Sequence, residues 1–212
     1  TYASNRHIAF KMTELLLLNS ESATNRLVLL HGWGADGNDL VPVGKLLTEG
    51  LKDRFEIVSL SAPQPHPSGL GRQWYPLYPH EWEQVPNAVL DLERRLNNLC
   101  FEQIPVEKTL ILGFSQGGAM ALELATRKKF AGVFALSSYP HPEWQPVTGM
   151  SSVYLFHGKT DQVVPKEASQ KSFDILRKNG IKANLYFFDG GHEIDNGLIN
   201  HCKEIIVQKI LS

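Results

Sequence analysis

The stretch Ile111–Ala125, "ILGFSQGGAMALELA", decides how this chain is read. An apolar run, Leu110 to Leu112, stops at Gly113. Ser115 follows, then Gly117 and Gly118, and from Ala119 to Ala125 the pattern turns helical. "GFSQG" satisfies G-x-S-x-G, a spacing that chance supplies often enough for context to discriminate. The context here is strand, sharp turn and helix. A serine on such a turn projects its hydroxyl from the end of a sheet. Small residues beside it remove the side chains that would collide with neighbouring backbone. The bland alternative is a serine N-cap on an ordinary helix.

The pattern on either side is consistent with an α/β sheet. "RLVLLHG" (26–32), "FEIVSLSAP" (55–63), "TLILGF" (109–114), "FAGVFALSS" (130–138), "SVYLFHG" (152–158) and "ANLYFFDG" (183–190) are continuous apolar runs rather than alternating ones. Strands buried on both faces of a parallel sheet read this way. "HIAFKM" and "ELLLLN" near the start predict an antiparallel pair at one edge. Helical spacing appears at Val89, Leu92, Leu96 and Leu99. It recurs from Lys166 to Asn179, where Gly180 is a stop signal, and along Leu198, Cys202, Ile205, Ile206 and Ile210. Alternation of this kind predicts a doubly wound, mostly parallel α/β sheet with right-handed crossovers. We expect one domain over residues 1–212.

Composition narrows the function classes. Hydrophobic residues make up 42% of the 212 and charged residues 20%, with a formal net charge of −1. No field of one sign favours nucleic acid or an anionic membrane surface. The longest apolar run falls far short of the roughly 18 residues of a membrane span. The start lacks a long apolar core behind basic residues, so no signal peptide is expected and a cytoplasmic setting is the default. The two cysteines, Cys100 and Cys202, read as reduced thiols.

The segment from Ser61 to Pro86 has no periodicity. It carries six prolines and the aromatics Trp74, Tyr75, Tyr78 and Trp82. Loops this long in compact domains are usually functional or disordered, and its bulky rings argue against disorder. It is expected to wall a substrate pocket, with Trp74 in the wall or, as the alternative, in the core.

A serine hydroxyl is a weak nucleophile and needs a base, which needs an orienting carboxylate. At an elbow the expected chain order is serine, acid, histidine. Of eight histidines, four precede Ser115, His201 falls mid-helix, and His157 ends a buried strand, where a role in the core or in support of the site is expected. His141 lies in a short loop. His192, in "DGGHE" after the last strand, is the preferred base. For the acid, Asp161 sits just past the strand that ends near Phe156. Asp174 is inside a helix, Asp189 is too close to His192, and Glu143 is the competitor. Two N–H donors would hold the oxyanion: that of Gln116, after the serine, and that of Trp33 in the Gly-rich loop "LLHGWGADGNDL". That loop lacks the GxGxxG and GxxxxGK spacings of phosphate cradles.

Taken together, "LHGWGADGNDL", "SAPQP…QWY", "GFSQGGAMAL", "LSSYP", "FHGKTDQVVP" and "GGHEI" resemble the small carboxylesterase and acyl-protein thioesterase family of α/β-hydrolases, from about Leu29 to the C-terminus. The resemblance implies Ser115, Asp161 and His192 as triad and the N–H groups of Trp33 and Gln116 as oxyanion hole. It also implies a carboxylic ester, lysophospholipid or acyl-thioester substrate, with neither metal nor cofactor. Members usually carry Leu at the position of Trp33 and Asp at the position of Pro76. The connection from Ser138 to Ser152 is too short for a helical lid. An open site for short to medium acyl esters is therefore expected, on a monomer or homodimer. A dienelactone-hydrolase-like enzyme is the second reading, disfavoured because its elbow would carry Cys. A silent hydrolase fold that only binds is the third.

Overall fold

A computed structural model describes residues 14–18, 21–51, 53–99 and 103–210. In chain order the elements are β1 (Glu14–Leu18), β2 (Asn25–Leu30), α1 (Val41–Leu47), β3 (Phe55–Leu60), β4 (Gln64–Pro65), β5 (Arg72–Gln73), α2 (Val85–Asn97), β6 (Thr109–Phe114), α3 (Gln116–Ala125), β7 (Gly132–Leu136), β8 (Val153–Gly158), α4 (Glu167–Lys178), β9 (Ala183–Phe188) and α5 (Asn196–Ile210). Seven strands form one sheet in the order β1-β3-β2-β6-β7-β8-β9. All neighbours are parallel except β1, which runs antiparallel to β3 at the edge. The stretch "HIAFKM", expected to pair at that edge, lies outside the described residues, as does Cys100.

Each interior strand feeds two cores because successive side chains point to opposite faces. Val28, Leu30, Ile111, Val133 and Leu155 meet α2, α3 and α4 on one side. Leu27, Leu29, Leu110, Leu112, Phe134 and Phe156 meet α1 and α5 on the other. Both faces are therefore apolar, so the runs in the sequence are continuous. Cys202 is a free thiol buried in the second core, where burial drives its ionisation far upward. Arg26 is the buried exception at the base of β2. Its Nε donates to Glu56 Oε1 at 2.7 Å and its two terminal nitrogens donate to the carbonyls of Ile104 and Leu99, so the charge is paired and hydrogen-bonded.

The helix α1, only seven residues long and containing Pro42 and Gly44, has no counterpart among the sequence-predicted helices. Among the described residues no helix is long and apolar enough to cross a membrane. The segment 137–152 between β7 and β8 carries no helix. Nothing there covers the carboxyl ends of β2, β6, β7, β8 and β9, toward which all the singled-out loops run.

Candidate active site

The turn after β6 is as tight as its glycines require. Ser115 has φ 53° and ψ −117°, a left-handed conformation costly for a residue with a side chain. It occupies the position before α3, yet its hydroxyl makes no capping bond to the helix. The helix-cap reading is thereby excluded on geometry. A Cβ at Gly117 would lie 2.0 Å from the Leu30 carbonyl oxygen, and one at Gly113 would lie 2.2 Å from the Gly117 oxygen. Only bare backbone lets α3 approach β2 and β6 this closely.

His192 reaches the same place from the loop after β9. Its Nδ1 donates to Asp161 Oδ2 at 2.7 Å. Its ring packs on Phe114, centroid to centroid 4.8 Å. Ser115 and His192 line one cleft of about 460 Å³. Asp161, in the turn after β8, is buried. Its Oδ1 accepts from the N–H groups of Val163 and Val164, each at 2.8 Å. Burial alone would raise this carboxyl, but the His192 bond and the two backbone N–H groups outweigh it and hold it below the ordinary carboxylate range.

The competing groups are elsewhere. Glu143 is exposed on a neighbouring depression that also contains Glu123 and His141. His141 is bonded to Glu123 through Nδ1 and to Tyr75 through Nε2. Asp189 pairs with Lys159 at 2.7 Å in solvent, Asp174 accepts from Gln170, and His201 meets Tyr186 edge-to-face on the far face of the sheet. Among the described residues no cluster of His, Cys, Asp or Glu is placed to hold a metal.

A family model described as Phospholipase/Carboxylesterase matches residues 16–210 of the chain. The chain belongs to that family. An acyl-protein thioesterase 1 from Cryptococcus neoformans is 28% identical over 192 residues, which span 81% of each chain. A putative hydrolase, MhqD, from Bacillus subtilis is 24% identical over 202 residues, 86% of this chain and 92% of the relative. The crystal structure of esterase PE8 superposes with a TM-score of 0.82 at 26% identity, covering 94% of this chain and all of that one. The fold is thus that of the α/β-hydrolases, and the chain is a serine hydrolase of esters or thioesters.

As a member of the phospholipase/carboxylesterase family, the chain carries an elbow whose surroundings sequence reasoning only partly anticipated. Trp74 is the correction. It was expected in the cleft wall, but it is 1% exposed and absent from the cleft lining. Its indole N–H donates to the His31 carbonyl at 2.9 Å, and its backbone N–H donates to Gln116 Oε1 at 3.0 Å. A large ring with one donor is most stable where both its area and its N–H are satisfied, which here is beneath the elbow. The wall is built instead by Leu77, Tyr78, His80 and Trp82 of the same loop, facing Tyr139, Pro140 and Val163.

Three side-chain roles were missed. Gln116 was read only for its N–H, yet its amide clamps the long loop: Oε1 accepts from Trp74 N and Nε2 donates to the Tyr75 carbonyl at 2.8 Å. Gln73 accepts from the Trp33 indole at 2.9 Å and fixes that ring over the cleft. His31 is fully buried. Its Nε2 accepts from the Ala62 N–H at 2.9 Å, so the proton sits on Nδ1, which donates to the Gly32 carbonyl at 2.7 Å. The carbonyl of Gly32 and the N–H of Trp33 belong to one planar peptide and point opposite ways. Holding the oxygen therefore aims the N–H. Burial, opposed by the Gly32 bond, lowers the His31 pKa to about 4, so the ring stays neutral. The only sequence signal was a histidine closing a buried strand before Gly32.

Proposed function

We propose that Ser115, His192 and Asp161 act as nucleophile, base and orienting acid, with the N–H groups of Trp33 and Gln116 as oxyanion hole. The observation that carries the reading is the 2.7 Å bond from His192 Nδ1 to a buried, fully hydrogen-bonded Asp161, with His192 and Ser115 on one cleft. A carboxylate on Nδ1 leaves Nε2 as the lone-pair nitrogen, the tautomer a base requires. Gln116 is the first residue of α3, so the helix's own ladder has no acceptor for its N–H.

The steps follow. Ser115 Oγ bonds to the acyl carbon as its proton passes to His192 Nε2. The carbonyl oxygen becomes an oxyanion facing the two N–H groups. Collapse expels the alcohol or thiol, which takes the proton back from His192. Water, deprotonated by His192, then attacks the acyl carbon; the bond to Ser115 Oγ breaks, Oγ takes the proton from His192, and the carboxylic acid leaves. No step calls on a metal or cofactor, and every group comes from the ends of one sheet, so a monomer or homodimer serves equally. We read the substrate as a carboxylic ester or acyl thioester of short to medium chain, because the described connection between β7 and β8 lays no helix over the cleft and Trp33 lines it. The relatives' names support that class without choosing between ester and thioester.

Labelling with a fluorophosphonate probe tests the assignment. Mass spectrometry should find one adduct, on Ser115, absent from Ser115→Ala. Folded protein that takes no adduct, or takes it elsewhere, refutes the proposal.

A further inference from the structure

Asp161 has a second imidazole on it. His157, in β8 and fully buried, places Nε2 3.2 Å from Asp161 Oδ2, the oxygen that also accepts from His192. We infer that His157 is a positioning residue for the acid of the triad, donating a permanent Nε2–H that holds Asp161 Oδ2 in line with His192. This rests on the triad assignment above.

The protonation state follows from the partners. Nε2 faces two acceptors, the Val164 carbonyl at 2.8 Å and Asp161 Oδ2, so it must carry the proton. Nδ1 lies 2.6 Å from Ser169 Oγ, and the Ser169 hydroxyl has a much longer contact, 3.3 Å, to the Ser138 carbonyl. The short contact takes the hydroxyl proton, so Ser169 donates to Nδ1 and locks the Nε2–H tautomer. Burial, opposed by the Val164 and Asp161 acceptors, lowers the His157 pKa and keeps the ring neutral. The ring therefore brings a donor and no charge.

Asp161 thus faces four N–H groups: Val163 and Val164 bond Oδ1, His192 bonds Oδ2, and the His157 Nε2–H, whose nearer acceptor is the Val164 carbonyl at 2.8 Å, is shared with Oδ2 at 3.2 Å. Three of them are indifferent to turnover, whereas the bond from His192 must change with every proton that ring gains and loses. The fixed donors hold the carboxylate in one rotamer while the mobile one cycles. His157 is the only one of the fixed three on the oxygen that His192 uses.

The test compares His157→Leu, His157→Gln and Ser169→Ala with Asp161→Asn as reference, following kcat against pH on a p-nitrophenyl ester and thermal unfolding in parallel. Gln can return an N–H near the Nε2 position; Leu cannot. We expect His157→Leu to lose about tenfold in kcat, the loss of one hydrogen bond to a charged group. Its acid limb should move to higher pH, because Asp161 then gives more of its charge to the His192 cation. His157→Gln should restore both, and Ser169→Ala, which removes the short bond that orients the ring, should shift both part-way. Ser169→Ala also carries the test if His157→Leu fails to fold. If Asp161→Asn is inactive while His157→Leu or Ser169→Ala keeps the wild-type rate and acid limb, the inference is overturned. It is overturned equally if rate falls with stability, the limb stays in place and Gln does not restore it, since that describes packing alone. Wild-type kcat in Asp161→Asn would overturn the triad assignment itself.

Discussion

The buried His31 makes a quantitative prediction about pH and stability. In the unfolded chain its imidazole titrates near 6.5, whereas in the fold burial holds it at about 4. Above pH 6.5 neither state binds the proton and His31 leaves stability independent of pH. As pH falls below 6.5 the unfolded chain binds a proton that the folded chain still refuses, so unfolding is favoured. The loss grows until pH falls through 4 and is complete below it. Each unit of difference is about 1.4 kcal/mol, so the full depth is about 3 kcal/mol, and the interval from pH 7 to 5 contains about 2 kcal/mol of it. For a domain of this size that is a fall of roughly 4–8 °C in Tm. His31→Gln removes the titration and leaves every other group's contribution in place. Urea unfolding monitored by tryptophan fluorescence at pH 7, 6 and 5 should show wild type losing about 2 kcal/mol more than His31→Gln over that range. The variant will be less stable at pH 7, having lost the bonds to Gly32 and Ala62, but the slope is the readout. Parallel slopes for the two proteins would refute a neutral, desolvated His31 and the peptide-aiming role derived from it.

Other outcomes follow from the site geometry. Asp161→Asn should lower kcat by about 10⁴ by losing the productive tautomer of His192. Glu143→Gln, exposed and away from His192, should leave kcat within about twofold by the same ester assay. Gly117→Ala drives a Cβ to 2.0 Å from the Leu30 oxygen, where no flexible side chain can yield. It should lower stability by about 3 kcal/mol or more, read as a drop in Tm, and abolish probe labelling of Ser115. Trp33→Leu keeps the backbone N–H but removes the indole held by Gln73. Across p-nitrophenyl esters of rising chain length, it should move the preferred acyl group to longer chains with little change on acetate.

Much of the fold was legible because both faces of the sheet are covered. A strand that meets helices on each side must be apolar throughout, and β6, predicted at residues 109–114, has those bounds. The other strands end within two or three residues of the predicted runs, and the long periodic helices α2, α4 and α5 appear where their apolar stripes begin. The unread helix, α1, is two turns long and interrupted by Pro42 and Gly44, too short to display a period. Trp74 shows a different limit. An aromatic, proline-rich loop announces that rings will be buried, but not which ring faces the cleft and which goes beneath it. Trp74 went under because its indole N–H finds the His31 carbonyl there.

The chemistry of the chain was local enough to be written in order. An elbow needs glycines within two residues of its serine, and an acid and a histidine must leave the ends of later strands. Those demands are matters of covalent geometry and of strand-to-loop spacing, so Ser115, Asp161 and His192 can be proposed as a set without coordinates. Which partners hold them cannot. His31 and His157 look alike in sequence, each a histidine before a glycine at the end of a buried strand. One carries its proton on Nδ1 because the Ala62 N–H occupies Nε2; the other carries it on Nε2 because Val164 and Asp161 present only acceptors. A proton's position on an imidazole is set by groups brought together from 4 to 31 residues away, and only the packed chain decides what those groups are.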